Sequence, residues 1–539
     1  MIDQSASNAT KIMKKSVQEL RAGNFDSAVT LTDEILEQDP NHAGANALQF
    51  SALFKSQRFE QARRMGTKAA ELNPRSVFIL NNQACLQLEA KQPAAAAGLL
   101  KSLIDQFGER GQWLYNLALA QKMVGNIDYA LTTFARTLDF DHQHDRAAFQ
   151  LADCLKISGN PEQAVRAYDF LRLLRHKHAP SHCNYLHHAV INNSITSLDL
   201  ELEMALWRDR FIPTDRCYDT HKVENEHQLR IGFSIGRLPS IWVQSLIAPV
   251  INTLAAGRDS VHVYWHDDLF DQNLFADSVN IKPSAQLTDA DFARKVRADQ
   301  IDTLVDICGM RIGARQRALG LQVAGQQYGW LGHEGRYATP LVKILEPLMG
   351  SHCYAANLNE IEYTDPLPEN TFTTTGTHHG ISNETVRAWS NILHALPTWK
   401  IHIDATNKLV NNRIRELFLE QGIEQDRLLF LSNPTLENGA IALDNITEND
   451  PVSVINALHQ GAIIVAKTGD LFPAQHTSKI LTQCGRKKWL CKSTYHYQTQ
   501  AIDLATSVGR KGLTENEFER SKLNDIAQFS QHLRSVISP

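Results

Sequence analysis

The residues best able to do chemistry in this sequence stand where short β-type runs give way to turns. His378 and His379 close the segment Thr375-Gly376-Thr377-His378-His379. An imidazole there could donate to a phosphate oxygen and, once protonated, supply part of a lysine's charge; two solvated loop histidines would read the same. Lys467 follows the run GAIIVA and could pair with phosphate as a point charge or simply be exposed. Asp444 and Asn445 end the run AIALDN, where they could contact ribose-type hydroxyls or form a turn. Arg315 closes the turn Gly309-Met310-Arg311-Ile312-Gly313-Ala314-Arg315 and could hold a phosphate or carboxylate bidentately, or make a structural ion pair. Gly309 and Gly313 suit the turn itself. His333 and Glu334 follow Trp330-Leu331-Gly332, a place where a general base for a hydroxyl could stand, or an internal hydrogen bond. No Ser-His-Asp set, phosphate-binding P-loop, CxxC pair or cluster with metal-ligand spacing is evident.

The elements that must position these residues follow from periodicity. RIGFSIG (230–236), VHVYWH (261–266), IDTLVDICG (301–309) and QQYGWLG (326–332) read as strands, with amphipathic helical patterns between the first three. After Asp365-Pro366-Leu367-Pro368, a hinge-like stretch, a second series begins. FTTTG (372–376), WKIHIDA (399–405), RLLFLS (427–432), AIALDN (440–445) and GAIIVAKTG (461–469) read as strands. Residues 382–396, 411–421 and 450–460 read as the intervening helices. Alternating strands and helices build a parallel sheet covered on both faces. In such sheets ligands bind beyond the C-terminal strand ends, so the loops 236–241, 309–315, 332–338, 376–381, 432–439, 445–451 and 466–475 carry the expectation of a site.

The first third of the chain is different. Alanine recurs every 34 residues, at positions 28, 62, 96, 130 and 164. Twelve residues earlier stand Ser16, Phe50, Ala84, Ala118 and Ala152; five residues earlier stand Gly23, Gln57, Lys91, Gly125 and Gly159. A 34-residue helix–turn–helix with small residues at two fixed positions is the tetratricopeptide pattern. Five units are expected, over 9–42, 43–76, 77–110, 111–144 and 145–178. Asn82, Asn116 and Gln150 recur at the sixth position of their units. They could hydrogen-bond the backbone of an extended peptide on a concave face, or be solvated polar residues. Residues 179–228 read as a helical linker, 229–365 as a first Rossmann-like lobe and 366–539 as a second.

Composition narrows the function classes. The 539 residues hold 54 Lys plus Arg against 59 Asp plus Glu, a net charge of −5, and 43% apolar residues. The basic excess usual in proteins that grip nucleic acid is missing. The longest apolar runs, such as Leu246–Ala256, are too short to span a bilayer. The N-terminal stretch MIDQSASNATKIMKK has no apolar signal core, and the eight cysteines are widely spaced, so buried thiols in a reducing cytoplasm are expected.

A tetratricopeptide array followed by two Rossmann-like lobes resembles the O-GlcNAc transferase family, protein glycosyltransferases of glycosyltransferase-B fold, and extends to flagellin-type bacterial transferases. The stretch 301–335 is similar to that family's strand, G-x-x-x-G-A-R turn, helix and W-L-G strand, with Gly309, Gly313, Ala314, Arg315, Trp330, Leu331 and Gly332 on the pattern. RIGFS (230–234) and 381–403 resemble the first strand of the catalytic region and the opening of the sugar-donor lobe. The resemblance implies inverting, metal-free transfer of a sugar from a nucleotide sugar to Ser or Thr of a protein acceptor held by the repeats.

Four features depart from the family together. Its phosphate-stabilising lysine corresponds to Gly380 here. Its His-Thr-Thr-Gly-x-Asp segment corresponds to Pro451-Val452-Ser453-Val454-Ile455-Asn456. Its histidine after the first strand is missing from Gly236-Arg237-Leu238-Pro239-Ser240, and the lysine-bearing loop after RLLFLS is reduced to NPTLENG (433–439). Two readings follow: a transferase with a rebuilt donor site, in which Thr375, Thr377, His378, Lys467, Asp444, Asn445 and Arg315 hold the donor and His379 or His333 acts in catalysis, or a non-catalytic binding scaffold. A basic, phosphate-sized pocket near His378, His379 and Lys467 would favour the first. A cleft filled by apolar side chains would favour the second.

Overall fold

The computed structural model describes residues 2–212, 218, 228–267, 271–311, 313–332, 337–349, 352–359, 361–376, 381–404 and 408–538. The chain forms two compact units, Met1–Leu155 and Lys156–Pro539.

The repeats become helix pairs: Ile2–Ala22 with Phe25–Gln38, Ala43–Lys55 with Phe59–Leu72, Val77–Glu89 with Pro93–Phe107, Gly111–Met123 with Ile127–Phe140, and Asp145–Ile157 followed by Pro161–Leu174. Every small residue of the pattern has a packing reason. Ala28, Ala62, Ala96, Ala130 and Ala164 are 0% exposed, as are Ser16, Ala84, Ala118 and Ala152. The one large residue in this set, Phe50, is equally buried and is accommodated by Gly66, where a Cβ would come within 3.0 Å of its ring. The turn residues share one backbone conformation as well. Gly23, Gln57, Lys91, Gly125 and Gly159 all have positive φ, between 55° and 85°. Gln57 and Lys91 adopt it against the clash that makes left-handed backbone costly for a residue with a Cβ.

Asn193, 34 residues beyond Gly159, also has positive φ, at 52°, and joins helices Ala179–Ile191 and Ser197–Phe211. A sixth helix pair therefore occupies the stretch read above as a linker. Its register slips after the turn: Leu198 stands in the alanine phase and is exposed, whereas Leu200, two residues on, is 1% exposed. Helix Pro161–Leu174 packs in the second unit against Ala179–Ile191. Its Glu162 carboxylate accepts the Asn383 N–H at 3.1 Å. The unit boundary thus falls inside the fifth repeat rather than after it.

Two doubly wound sheets follow. In the first, β1 (Arg230–Ile235), β2 (Ser260–Trp265), β3 (Asn280–Pro283), β4 (Thr303–Asp306), β5 (Gln326–Gly329) and β6 (Lys343–Ile344) lie in the order 3-2-1-4-5-6. Strand β7 (Thr364–Pro366) lies at the expected hinge. The second sheet contains β8 (Thr371–Thr375), β9 (Lys400–Asp404), β10 (Leu428–Leu431), β12 (Ile441–Asp444), β13 (Ile463–Lys467) and β14 (Leu490–Cys491), ordered 10-9-8-12-13-14. That is the same winding, and all its pairs are parallel. Strand β11 (Pro434–Thr435) pairs with β7 outside both sheets. The chain then crosses back. Helix Ile526–Ile537, assigned above to the second lobe, packs on the first: Arg534 pairs with Asp259 at 2.7 Å, Thr303 donates to the Ile537 carbonyl, and Phe529 stacks on Trp330.

Candidate functional site

The same device closes the central strands of both sheets. In the first, Ser234 of β1 and Asp306 of β4 are register partners, and the Ser234 hydroxyl donates to Asp306 Oδ1 at 2.9 Å. In the second, Thr375 of β8 and Asp444 of β12 are register partners, and the Thr375 hydroxyl donates to Asp444 Oδ1 at 2.7 Å. Both aspartates are fully buried at the strand ends where doubly wound sheets carry their ligands. Burial raises both carboxyls above the usual range, Asp444 to about 7.

Around Asp306 the network is closed. Its Oδ2 accepts the Gly309 N–H and the Tyr337 hydroxyl, each at 2.9 Å. Ser234 lies 3.0 Å from His266 Nε2, and Arg315 donates to His266 Nδ1 at 3.3 Å. Burial, then the Arg315 charge, holds His266 well below the usual imidazole range, so the ring is neutral. Arg315 itself is 8% exposed. Three further donors go to the Ser284 and Leu287 carbonyls and to Asp289. Four of the five Arg315 N–H groups are thus engaged within the lobe, one of them in the ion pair with Asp289. Ser234, His266 and Asp306 were not singled out by sequence reasoning, because a lone Ser, His or Asp at the end of an apolar run carries no spacing signal.

Asp444 and Asn445 are equally committed. Asp444 Oδ2 accepts from Asn449 at 2.9 Å, and Asn445 Oδ1 accepts from Thr385 at 2.9 Å. The Tyr497 hydroxyl donates to the Asp444 carbonyl while accepting from the Trp389 indole. The whole loop 445–450 is buried. Thr375, Asp444 and Asn445 are thus brought together as expected residues of one cluster, but with both residues of the Asp-Asn pair 0% exposed. Lys467, at the end of β13, is paired with Glu384 at 3.0 Å, at the start of helix Asn383–Ala395.

The loops beyond the strand ends of the two lobes meet. Asp450 begins helix Pro451–His459, and its carboxylate accepts from Val452 N–H at 3.0 Å and the Ser453 hydroxyl at 2.8 Å. The Trp242 indole, from the short helix Ser240–Trp242 after β1, donates to the same carboxylate at 2.8 Å. Beside it Arg311 reaches Glu448 at 3.5 Å and donates to the Gly332 carbonyl. His476 packs edge-on to Trp242, Tyr354 and Phe472 and hydrogen-bonds the Tyr354 hydroxyl at 2.6 Å. A helix N-terminus is a ready anion site. Here that end is already capped by the chain's own Asp450 carboxyl, raised above the usual range by burial, under a buried tryptophan.

Thr377, His378, His379, His333 and Glu334 lie outside the described residues. Of the repeat amides, Asn116 is 5% exposed and donates to the Cys85 sulfur, and Gln150 accepts from Lys122. The Asn82 amide nitrogen is buried and has no hydrogen-bond partner among the described residues. Among the described residues no helix is long and apolar enough to cross a membrane, and no group of three His, Cys, Asp or Glu could hold a metal ion.

Tetratricopeptide-type helix pairs leading into two Rossmann-like lobes of identical winding define a glycosyltransferase-B architecture with an α-solenoid in front. The chain shares this fold with an O-GlcNAc transferase. It matches a variant of the O-GlcNAc transferase of Thermobaculum terrenum with a TM-score of 0.71 over 86% of this chain and 97% of that one, at 19% identity. It is 23% identical over 287 residues to a probable UDP-N-acetylglucosamine–peptide N-acetylglucosaminyltransferase, SPINDLY, of Hordeum vulgare. That alignment takes in 45% of this chain and 30% of the barley protein, so the chain spans under a third of that relative's length. No family model matches.

Proposed function

We propose that this chain is a protein O-glycosyltransferase whose sugar-donor site is rebuilt relative to the family it resembles. The observation that carries the reading is the similarity to the barley protein over 287 residues, combined with strand-end loops of two equally wound lobes that meet at one place. In this reading a nucleotide sugar lies between residues 376–381 and the end of β13. Lys467, exchanging Glu384 for phosphate, and the segment Thr377-His378-His379 replace the family's lysine. His379 or His333 takes the proton of a Ser or Thr hydroxyl, which attacks the anomeric carbon in line, with inversion, breaking the bond to the phosphate oxygen and releasing the nucleotide. The acceptor protein rests on the repeat array. Residues 9–178 serve as the array, the two lobes carry the donor, and the protein works in the cytoplasm without a metal.

One observation favours a second reading, a non-catalytic scaffold. The helix end that matches the family's phosphate-facing segment is occupied by Asp450 and covered by Trp242. Thermal denaturation against a panel of nucleotides and nucleotide sugars separates the two, because a ligand that binds only the folded state must raise its stability. A saturable shift with one sugar nucleotide, followed by transfer to a Ser/Thr acceptor, supports the enzyme. No shift from a folded sample supports the scaffold.

A further inference from the structure

Helix Ile526–Ile537, the segment 352–356 and the end of helix His476–Gln483 frame a pocket of about 190 Å³. Its walls are tied together by hydrogen bonds to the backbone. Gln483 Nε2 donates to the Tyr354 and Ser521 carbonyls at 3.0 and 3.2 Å, and the Ala356 N–H donates to the Leu523 carbonyl at 2.7 Å. Four rings line it: Tyr354, Phe529, His352 and His532. Each is held by a neighbour. Phe529 stacks on Trp330 at 5.8 Å, and the Tyr354 hydroxyl bonds His476 at 2.6 Å. The two imidazoles stand edge to face at 6.0 Å, and His532 donates through Nε2 to the Met349 carbonyl at 2.9 Å. An apolar cavity of about 150 Å³ takes benzene. A space of about 190 Å³ walled by rings therefore fits one aromatic ring with a small substituent.

The charges of the lining say which substituent. Lys522 has a φ of 61°, a conformation that suits glycine and costs a residue with a Cβ. Its ammonium stands 3.5 Å from Asp525, and with side chains 46% and 32% exposed this pair is weakly held and exchangeable. Asp525 is itself committed as the cap of helix Ile526–Ile537, accepting the Gln528 N–H at 2.9 Å. We infer that this pocket binds a single-ring aromatic carboxylate, its ring among Phe529, Tyr354 and the two imidazoles and its carboxylate on Lys522. None of the lining residues belongs to the loops beyond the strand ends, so the site is separate from the donor site and the inference holds under either reading of that site.

Titration calorimetry of the full chain with benzoate tests this. The expected result is saturable binding at one site per chain, with benzamide, which keeps the ring, and acetate, which keeps the charge, both weaker. Lys522→Ala, at an exposed position, should weaken benzoate by roughly tenfold or more and leave benzamide unchanged, with the helical signal intact. His352→Ala, also exposed, should weaken both ring compounds. Absence of a binding heat with millimolar benzoate overturns the proposal. So does benzoate binding that neither variant changes, or benzamide binding as tightly as benzoate. Displacement of benzoate by uridine would give the pocket to a nucleobase and overturn it as well.

Discussion

Trp242 and Asp450, 208 residues apart in the chain, share a hydrogen bond of 2.8 Å in which the indole of one lobe donates to the helix-capping carboxylate of the other. Pro451 has no N–H, and the Val452 N–H is already spent on the same carboxylate. A phosphate approaching this helix end therefore meets a buried carboxyl group where a vacant set of amides would attract it. Replacing Asp450 by serine keeps a capping oxygen and removes the carboxyl. Asp450→Ser is expected to bind inorganic pyrophosphate measurably by titration calorimetry, where the wild type gives no heat of binding at this end. Equal binding by the two proteins would show that the helix end is not what controls anions.

The buried pair Arg311–Glu448 should behave as a unit. Removing one member of a buried pair leaves the other uncompensated and typically costs roughly 3–5 kcal/mol, whereas replacing both with neutral groups of similar volume is far cheaper. Arg311→Met is expected to lower the melting temperature of the two-lobed unit sharply, and Arg311→Met with Glu448→Gln to restore most of it. Additive losses in a double-mutant cycle would contradict the coupling.

Asp444 should set a pH dependence of stability. Burial raises its folded carboxyl to about 7, from an ordinary 3.8. Between those values the folded state holds a proton that the unfolded chain releases. Stability is therefore greatest below about pH 4 as far as this group is concerned, and falls as pH rises toward 7, by at most about 1.4 kcal/mol per pH unit. Asp444→Asn can donate to Thr375 and accept from Asn449 without ionising. It should flatten the curve of melting temperature against pH between 4 and 7. An unchanged slope would assign the dependence elsewhere.

The parts of this fold that repeat were legible, and the parts that depend on distant contacts were not. The 34-residue alanine phase identified helix pairs whose ten marked positions are all 0% exposed, because each small residue answers a local helix-on-helix contact. Apolar runs located the central strands to within a few residues. The two-residue strands β6, β11 and β14 left no pattern, since their pairing is set by neighbours rather than by their own composition. The sixth helix pair was hidden by the two-residue slip that puts Leu198, not alanine, in phase. At the candidate site, the sequence shows where strands end, but not which partners the residues there take. Asp450, Trp242 and Glu448 act through partners in another lobe, and nothing in their local sequence names those partners. Arg315 stood out by its motif, yet four of its five donors go to Ser284, Leu287, Asp289 and His266.

The turns of the repeat array offer a test with opposite signs at equivalent positions. Lys91 and Gly125 are 34 residues apart and close the same turn, with φ of 55° and 83°. A Cβ at Gly125 would meet nothing within 4 Å, so only backbone conformation opposes a side chain there. Gly125→Ala is expected to destabilise the array by roughly 1–2 kcal/mol, the cost of left-handed backbone for an L-residue. Lys91→Gly removes that cost and gains stability, by about 1 kcal/mol or less, because glycine's extra freedom in the unfolded chain offsets part of it. Urea unfolding of the full chain, followed by the helical circular dichroism signal, measures both. A loss of stability in Lys91→Gly would mean that the lysine side chain, and not the turn's geometry, holds this position.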